Sequence, residues 1–163
     1  MRFYQQGVGL VEVLVALIIL AIAVLGFTAL QIRALAASQE AGRNIQAINI
    51  ARDLSERIRV NREALLDYKT PETLTNCATT LCTAKQMAGY DFQTVSDKAS
   101  DLGMQMAVLD CQGSTALERK CIYVSWEGTT PTNGVANTNC TNGVAYLPDA
   151  KCIIVEVYNY DKS

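Results

Sequence analysis

The residues of this chain best placed to do chemistry are its six cysteines, at positions 77, 82, 111, 121, 140 and 152. Thiols can bind metal, act as nucleophiles or pair as disulfides, and their setting decides among the three. The chain contains no histidine, which removes the commonest transition-metal ligand and the commonest general base together. Tight metal-ligand pairs have C-x2–4-C spacing; here Cys77 and Cys82 form the one close pair, and only carboxylates remain to complete a site. No metal and no cofactor is expected. An even number of cysteines, none of them before residue 77, reads as a disulfide framework formed in an oxidising compartment. Six cysteines allow fifteen connectivities. Proximity favours 77–82, 111–121 and 140–152, and an alternative would staple adjacent strands through Cys121 and Cys152. No G-x-S-x-G, no phosphate-binding loop and no isolated reactive thiol is present, so no catalytic residue is assigned and an enzyme is not expected.

A second residue out of the ordinary is Glu12. It lies in an apolar run from Val8 to Leu30 that is long enough to cross a bilayer core of about 30 Å as a helix. A carboxylate in the middle of such a helix costs roughly 2.5–3.5 kcal/mol, less near the interface. A plain membrane anchor gives no reason for it. A secretory signal peptide, cut after Ala34-Leu35-Ala36, would have an apolar run longer than the usual 7–15 residues, with Gln31 and Arg33 before the cut.

One pattern accounts for all the odd features. A short polar leader, MRFYQQG, ends in Gly7; the apolar run starts at once; and Glu12 follows five residues after the glycine. The segment GVGLVEVLVALIILAIAVLG resembles the prepilin signal of type IV pilins and type II secretion pseudopilins. The resemblance implies cleavage between Gly7 and Val8 by prepilin peptidase and N-methylation of Val8, with the apolar helix kept on the mature chain. Val8 stands where most members have phenylalanine, and Gly9 where they have Thr or Ser. In that family the glutamate matching Glu12 pairs with the N-terminal amine of a neighbouring subunit. The physics agrees: a free amine with a pKa near 8 is mostly charged at neutral pH. Burying it or the carboxylate alone is costly, and pairing them offsets part of that cost while fixing register.

Those residues need a scaffold. Apolar residues recur past the membrane run at Leu35, Ala41, Ile45, Ile48, Ala51, Leu54, Ile58 and Leu65, with charged residues between. This predicts one helix from Val8 to Asp67, about 90 Å at 1.5 Å per residue, ended by Thr70-Pro71. Ala84–Leu102 reads as a further helix, with Met87, Tyr90 or Phe92, and Val95 facing inward. Strands are expected at Gln105–Asp110, Cys121–Trp126 and Cys152–Tyr158. In the second, Cys121, Tyr123 and Ser125 share one face and Ile122, Val124 and Trp126 the other. Gly128–Asn142, dense in Thr, Asn and Gly, reads as a long exposed loop. The expected fold is α+β and pilin-like, a long N-terminal helix packed on a small antiparallel sheet with disulfides. The domains are a leader at 1–7, a transmembrane and filament-core helix at 8–30, its amphipathic continuation at 31–69, and a periplasmic head at 70–163.

The segment IARDLSERIRVNREALLDY, with Glu56-Arg57-Ile58-Arg59-Val60-Asn61-Arg62 near the helix end, is similar to minor pilins of the PilV kind, as is CATTLCTAKQMAGYD from Cys77. That resemblance covers residues 6–93. It implies a minor-pilin complex that primes pilus assembly and sits at the filament tip. The partners it implies are prepilin peptidase, the major pilin, other minor pilins, a tip adhesin and the inner membrane. Arg57, Arg59, Asn61 and Arg62 read either as a solvated helix face or as a contact with other minor pilins. The alternative family member is a minor pseudopilin of type II secretion, of the GspI kind. A net charge of −2 gives no nucleic-acid surface, so a DNA-binding uptake subunit is not expected.

Overall fold

The computed structural model of the chain describes residues 9–71, 73–113 and 119–158. Two compact units divide between Gly42 and Arg43, and helix α1, Leu10–Val60, contributes to both. In the first unit the helix keeps its apolar side chains exposed from Leu10 onward, and it contains a stretch long and apolar enough to cross a membrane. Helical backbone suits such a segment because all its polar groups are satisfied internally.

The second unit is built on the rest of α1, helix α2 (Ala84–Asp101) and strands β1 (Met104–Asp110), β2 (Arg119–Trp126), β3 (Thr130–Asn133), β4 (Asn139–Thr141) and β5 (Cys152–Tyr158). Strands β1, β2 and β5 form an antiparallel sheet in the order β1-β2-β5, and β3 pairs with β4 in parallel. The central strand follows the alternation expected of it. Ile122, Val124 and Trp126 join Ile50, Ala51, Leu54 and Ile58 of α1 in the main core. On the opposite face Cys121 and Tyr123 form a smaller cluster with Cys140 and Cys152. Both faces of β2 are therefore buried, although strands of antiparallel sheets often leave one face to water.

The stripe that α1 lays on the core starts later than the periodicity predicts. Ala47, Ile50, Ala51, Leu54 and Ile58 are buried, while Leu35 and Ile45 are 61% and 60% exposed. Ile45 precedes Ala47 by two residues, about 200° around a helix with 3.6 residues per turn, and so faces away. The buried face carries two alanines, which let the helix approach its neighbours closely.

The helix also ends earlier than expected. Asn61, with φ −116° and ψ 43°, leaves helical geometry, and a short 3₁₀ segment runs from Arg62 to Asp67. Two side chains make this stop favourable. The Asn61 side-chain amide donates to the Ala84 carbonyl at 2.8 Å, and the buried Tyr68 hydroxyl donates to the Arg57 carbonyl at 3.0 Å. The second bond adds to the one that the Arg57 carbonyl already accepts from the Asn61 amide at 3.0 Å, and so ties Tyr68 to the last turn.

Helix α2 opens on a capping box, Thr83 accepting from the Gln86 amide while the Gln86 side chain accepts from Thr83. It closes at Leu102, and Gly103 takes φ +70° to turn the chain into β1. A side chain there would strain the left-handed backbone by about 1–2 kcal/mol. Gly103→Ala is expected to lower the thermal midpoint by several degrees in a circular-dichroism melt. An unchanged midpoint would contradict this account of the turn.

The segment from Gly128 to Asn142 is not the wholly exposed loop its composition predicts. Thr129, Pro131, Cys140 and Thr141 are buried, and the segment contains β3 and β4. The Lys151 amide donates to the Thr129 hydroxyl at 2.9 Å, and Cys140 is bonded to Cys152 at the start of β5. A covalent tie to the sheet and a polar bond on its other flank hold an otherwise hydrophilic stretch in the fold.

Candidate functional site

Three disulfides are formed, Cys77–Cys82, Cys111–Cys121 and Cys140–Cys152, so the pairing favoured by proximity is the one observed. The Cys121–Cys152 staple is not formed. Each bond closes a short loop, with sequence separations of 5, 10 and 12. None is available as a thiol nucleophile.

Gly7 and Val8 lie outside the described residues. Glu12 is in the first turn of α1, its amide donating to the Gly9 carbonyl at 2.9 Å. The position is exposed, with the first-turn amides of the helix nearby. A carboxylate there is favoured by the positive end of the helix dipole.

Around the end of α1 the charged side chains divide into two sets. Arg57 turns inward, its Nε donating to Asp53 Oδ1 at 2.8 Å and its Nη1 to Asp91 Oδ1 of α2 at 2.6 Å. Lys98 Nζ donates to the other oxygen of Asp53 at 2.7 Å. The Tyr68 hydroxyl reaches Asp91 Oδ2 at 3.3 Å and the Arg57 carbonyl as well. This chain of contacts clamps α1 to α2 and to the segment after α1. Burial alone would raise the Asp53 carboxyl, but hydrogen bonds from Arg57 and Lys98 outweigh it and hold the carboxyl below its ordinary value. Hydrogen bonding to Asp53 raises Arg57, so the pair stays ionised. Burial pushes the Tyr68 hydroxyl up, which keeps it a proton donor.

Arg59 belongs to the other set. Its Nη1 meets Glu56 Oε1 at 3.1 Å in a solvent-exposed pair. Arg59 and Arg62 both line a groove of about 390 Å³ between the end of α1 and β5. Asn61 faces α2 through its bond to Ala84. Of the four residues singled out near the helix end, Arg57 and Asn61 therefore hold elements of the fold together, and Arg59 and Arg62 face the groove. Asp53, Tyr68, Asp91 and Lys98 carry no motif of their own. The signal in the sequence was a lone acid, Asp91, on the inward face of α2, which requires a buried partner.

Two known family models match the chain in succession. A model of the prokaryotic N-terminal methylation motif matches residues 2–28. A model described as type IV pilin Tt1218 matches residues 29–93, so the two together run over more than half of the chain. This chain is a type IV pilin. The pilin match takes in Asp53, Arg57, Asn61, Tyr68 and Asp91, and it stops before the sheet. No curated protein and no solved structure matches the chain. Pilins are structural subunits, and the N-methylation motif of this pilin goes with processing by prepilin peptidase and assembly with other pilins.

Proposed function

We propose that this pilin is a minor subunit of the type IV pilus, joining a minor-pilin complex that primes filament assembly and sits at the tip. Residues 1–7 are the leader, removed by prepilin peptidase between Gly7 and Val8, after which Val8 is N-methylated. Residues 8–30 hold the subunit in the inner membrane and then pack in the filament core. Residues 31–69 continue the helix, and 70–163 form the periplasmic head, whose function is assembly and not catalysis. The observation that carries this reading is the methylation motif running directly into the pilin match, with a lone carboxylate in the first turn of an exposed apolar helix. The terminal amine of Val8 pairs with Glu12 of the neighbouring subunit, each charge offsetting the cost of burying the other.

Glu12→Ala is expected to be processed and inserted normally and to be absent from sheared pili and from minor-pilin complexes. Immunoblots of sheared filaments and of membranes check both halves. The variant present in sheared pili at the wild-type level would overturn the role given to Glu12.

A further inference from the structure

We propose that the outer edge of β5 accepts an extended, carboxylate-bearing segment of another pilin subunit as an added strand, beside Arg59 and Arg62. The proposal rests on the minor-pilin reading above and names how the partner is held.

Among the described residues strand β5 has a strand neighbour on one side only, because it ends the order β1-β2-β5. Which of its backbone groups face outward follows from two bonds. The Trp126 amide donates to the Lys151 carbonyl at 2.9 Å, which directs the even-numbered residues of β2 toward β5. Ile122 stands opposite Val155, so Ile153, Val155 and Val157 bond inward and Ile154, Glu156 and Tyr158 point out. The Ile154 amide indeed turns away from β2, donating to the Tyr146 hydroxyl at 3.2 Å. Tyr146 thus covers the edge at Ile154. At Glu156 no such cover is found among the described residues, and the groove opens there.

Sheet edges in proteins are blunted by proline, lysine, bulges or covering segments, since an open edge templates pairing with another chain. Strand β5, CIIVEVY, has no proline, no lysine and an unbroken register with β2. The groove next to Glu156 offers what an added strand needs on one face. Its lining includes the edges of the core residues Ile58, Leu65 and Val157 and the half-buried Val155, and Arg59, which also meets Glu56, and Arg62 make it positive. The one carboxylate of β5, Glu156, is occupied by Arg119 at 2.6 Å across the sheet. Main-chain bonds to the edge give affinity, and alternate side chains read the groove. The complement is an extended segment in which apolar residues alternate with Asp or Glu. Only a short stretch of edge is open, and that is enough for subunits tethered side by side, where effective concentrations reach the millimolar range.

The test uses the full-length protein in piliated cells, with p-benzoylphenylalanine in place of Tyr158 as a photo-crosslinker. Glu156→Pro removes the outward amide while leaving the inward ladder bonds, which Glu156 does not make. Glu156→Ala is its control, losing the contact with Arg119 and keeping the amide. Pilin adducts identified by mass spectrometry are expected with Glu156→Ala at the parental yield. They are expected to fall about tenfold with Glu156→Pro, the loss of one or two hydrogen bonds. The double change Arg59→Glu with Arg62→Glu, which leaves the backbone untouched, is expected to reduce the same adduct. Equal pilin adducts in the proline, alanine and double-arginine variants would overturn strand pairing and leave the minor-pilin reading standing. No pilin adduct in any variant, or an adduct with a protein other than a pilin, would overturn both.

Discussion

Gly7→Asp is expected to leave the whole population as uncut precursor in the inner membrane. The effect should be near complete. The glycine ends a polar segment and opens onto a continuous apolar run, and an aspartate there puts a charged carboxylate beside the proposed cut. Without the cut, Val8 has no free amine to make the proposed pair with Glu12 of the next subunit, so no filament entry is expected either. Mass measurement of the purified protein checks this directly. A mature species starting at Val8 in the variant would refute the processing site.

The second large effect is expected from Asp91→Ala. This change takes away one of the two carboxylates that Arg57 meets and one acceptor for Tyr68 at a point where α1, α2 and the segment between them meet. Leaving a buried charge unpaired costs about 3–5 kcal/mol; Arg57 keeps Asp53 and its side chain is 29% exposed, so about 2–3 kcal/mol is the expected loss. For a head of this size the thermal midpoint should fall by on the order of 10 °C. Arg59→Ala, which breaks only an exposed pair, should cost less than about 1 kcal/mol. Equal melting of Asp91→Ala and the parent would show that the cluster does not clamp the helices.

The same cluster sets a pH dependence. The Asp53 carboxyl is held below its ordinary value in the folded head, so the unfolded chain binds the proton more readily. Its contribution is therefore fully present above the unfolded value near 4 and is lost as pH falls through the lower folded value. Melts between pH 7 and pH 3 should show stability declining at the acid end, and Asp53→Asn should flatten that decline. An identical acid limb in both proteins would contradict the assignment.

Much of this fold could be read from residue pattern, and the exceptions have physical causes. Strand β5 was legible to the residue because β-branched side chains run unbroken from Ile153 to Val155 between a cysteine and a tyrosine. Strand β2 alternated clearly, though its charged start at Arg119 and Lys120 hid the first two residues. The helix stop at Asn61 was not legible, since the apolar periodicity carries on to Leu65 and the bonds that favour the stop come from Tyr68 and Ala84. Strands β3 and β4 were missed because a disulfide at Cys140, and not apolar content, secures them. At the site, Gly7, Val8 and Glu12 stood out because they form a motif at fixed spacing. The Asp53–Arg57–Asp91 cluster did not, because Arg57 and Asp91 are 34 residues apart and only the packing of α2 on α1 joins them.

The most direct test of the account is the amount of sheared surface pilus in a strain lacking this protein, with type II secreted enzymes assayed in parallel. A minor pilin that primes assembly predicts loss of pili with secretion intact. Intact pili with lost secretion would contradict the account and make the chain a minor pseudopilin.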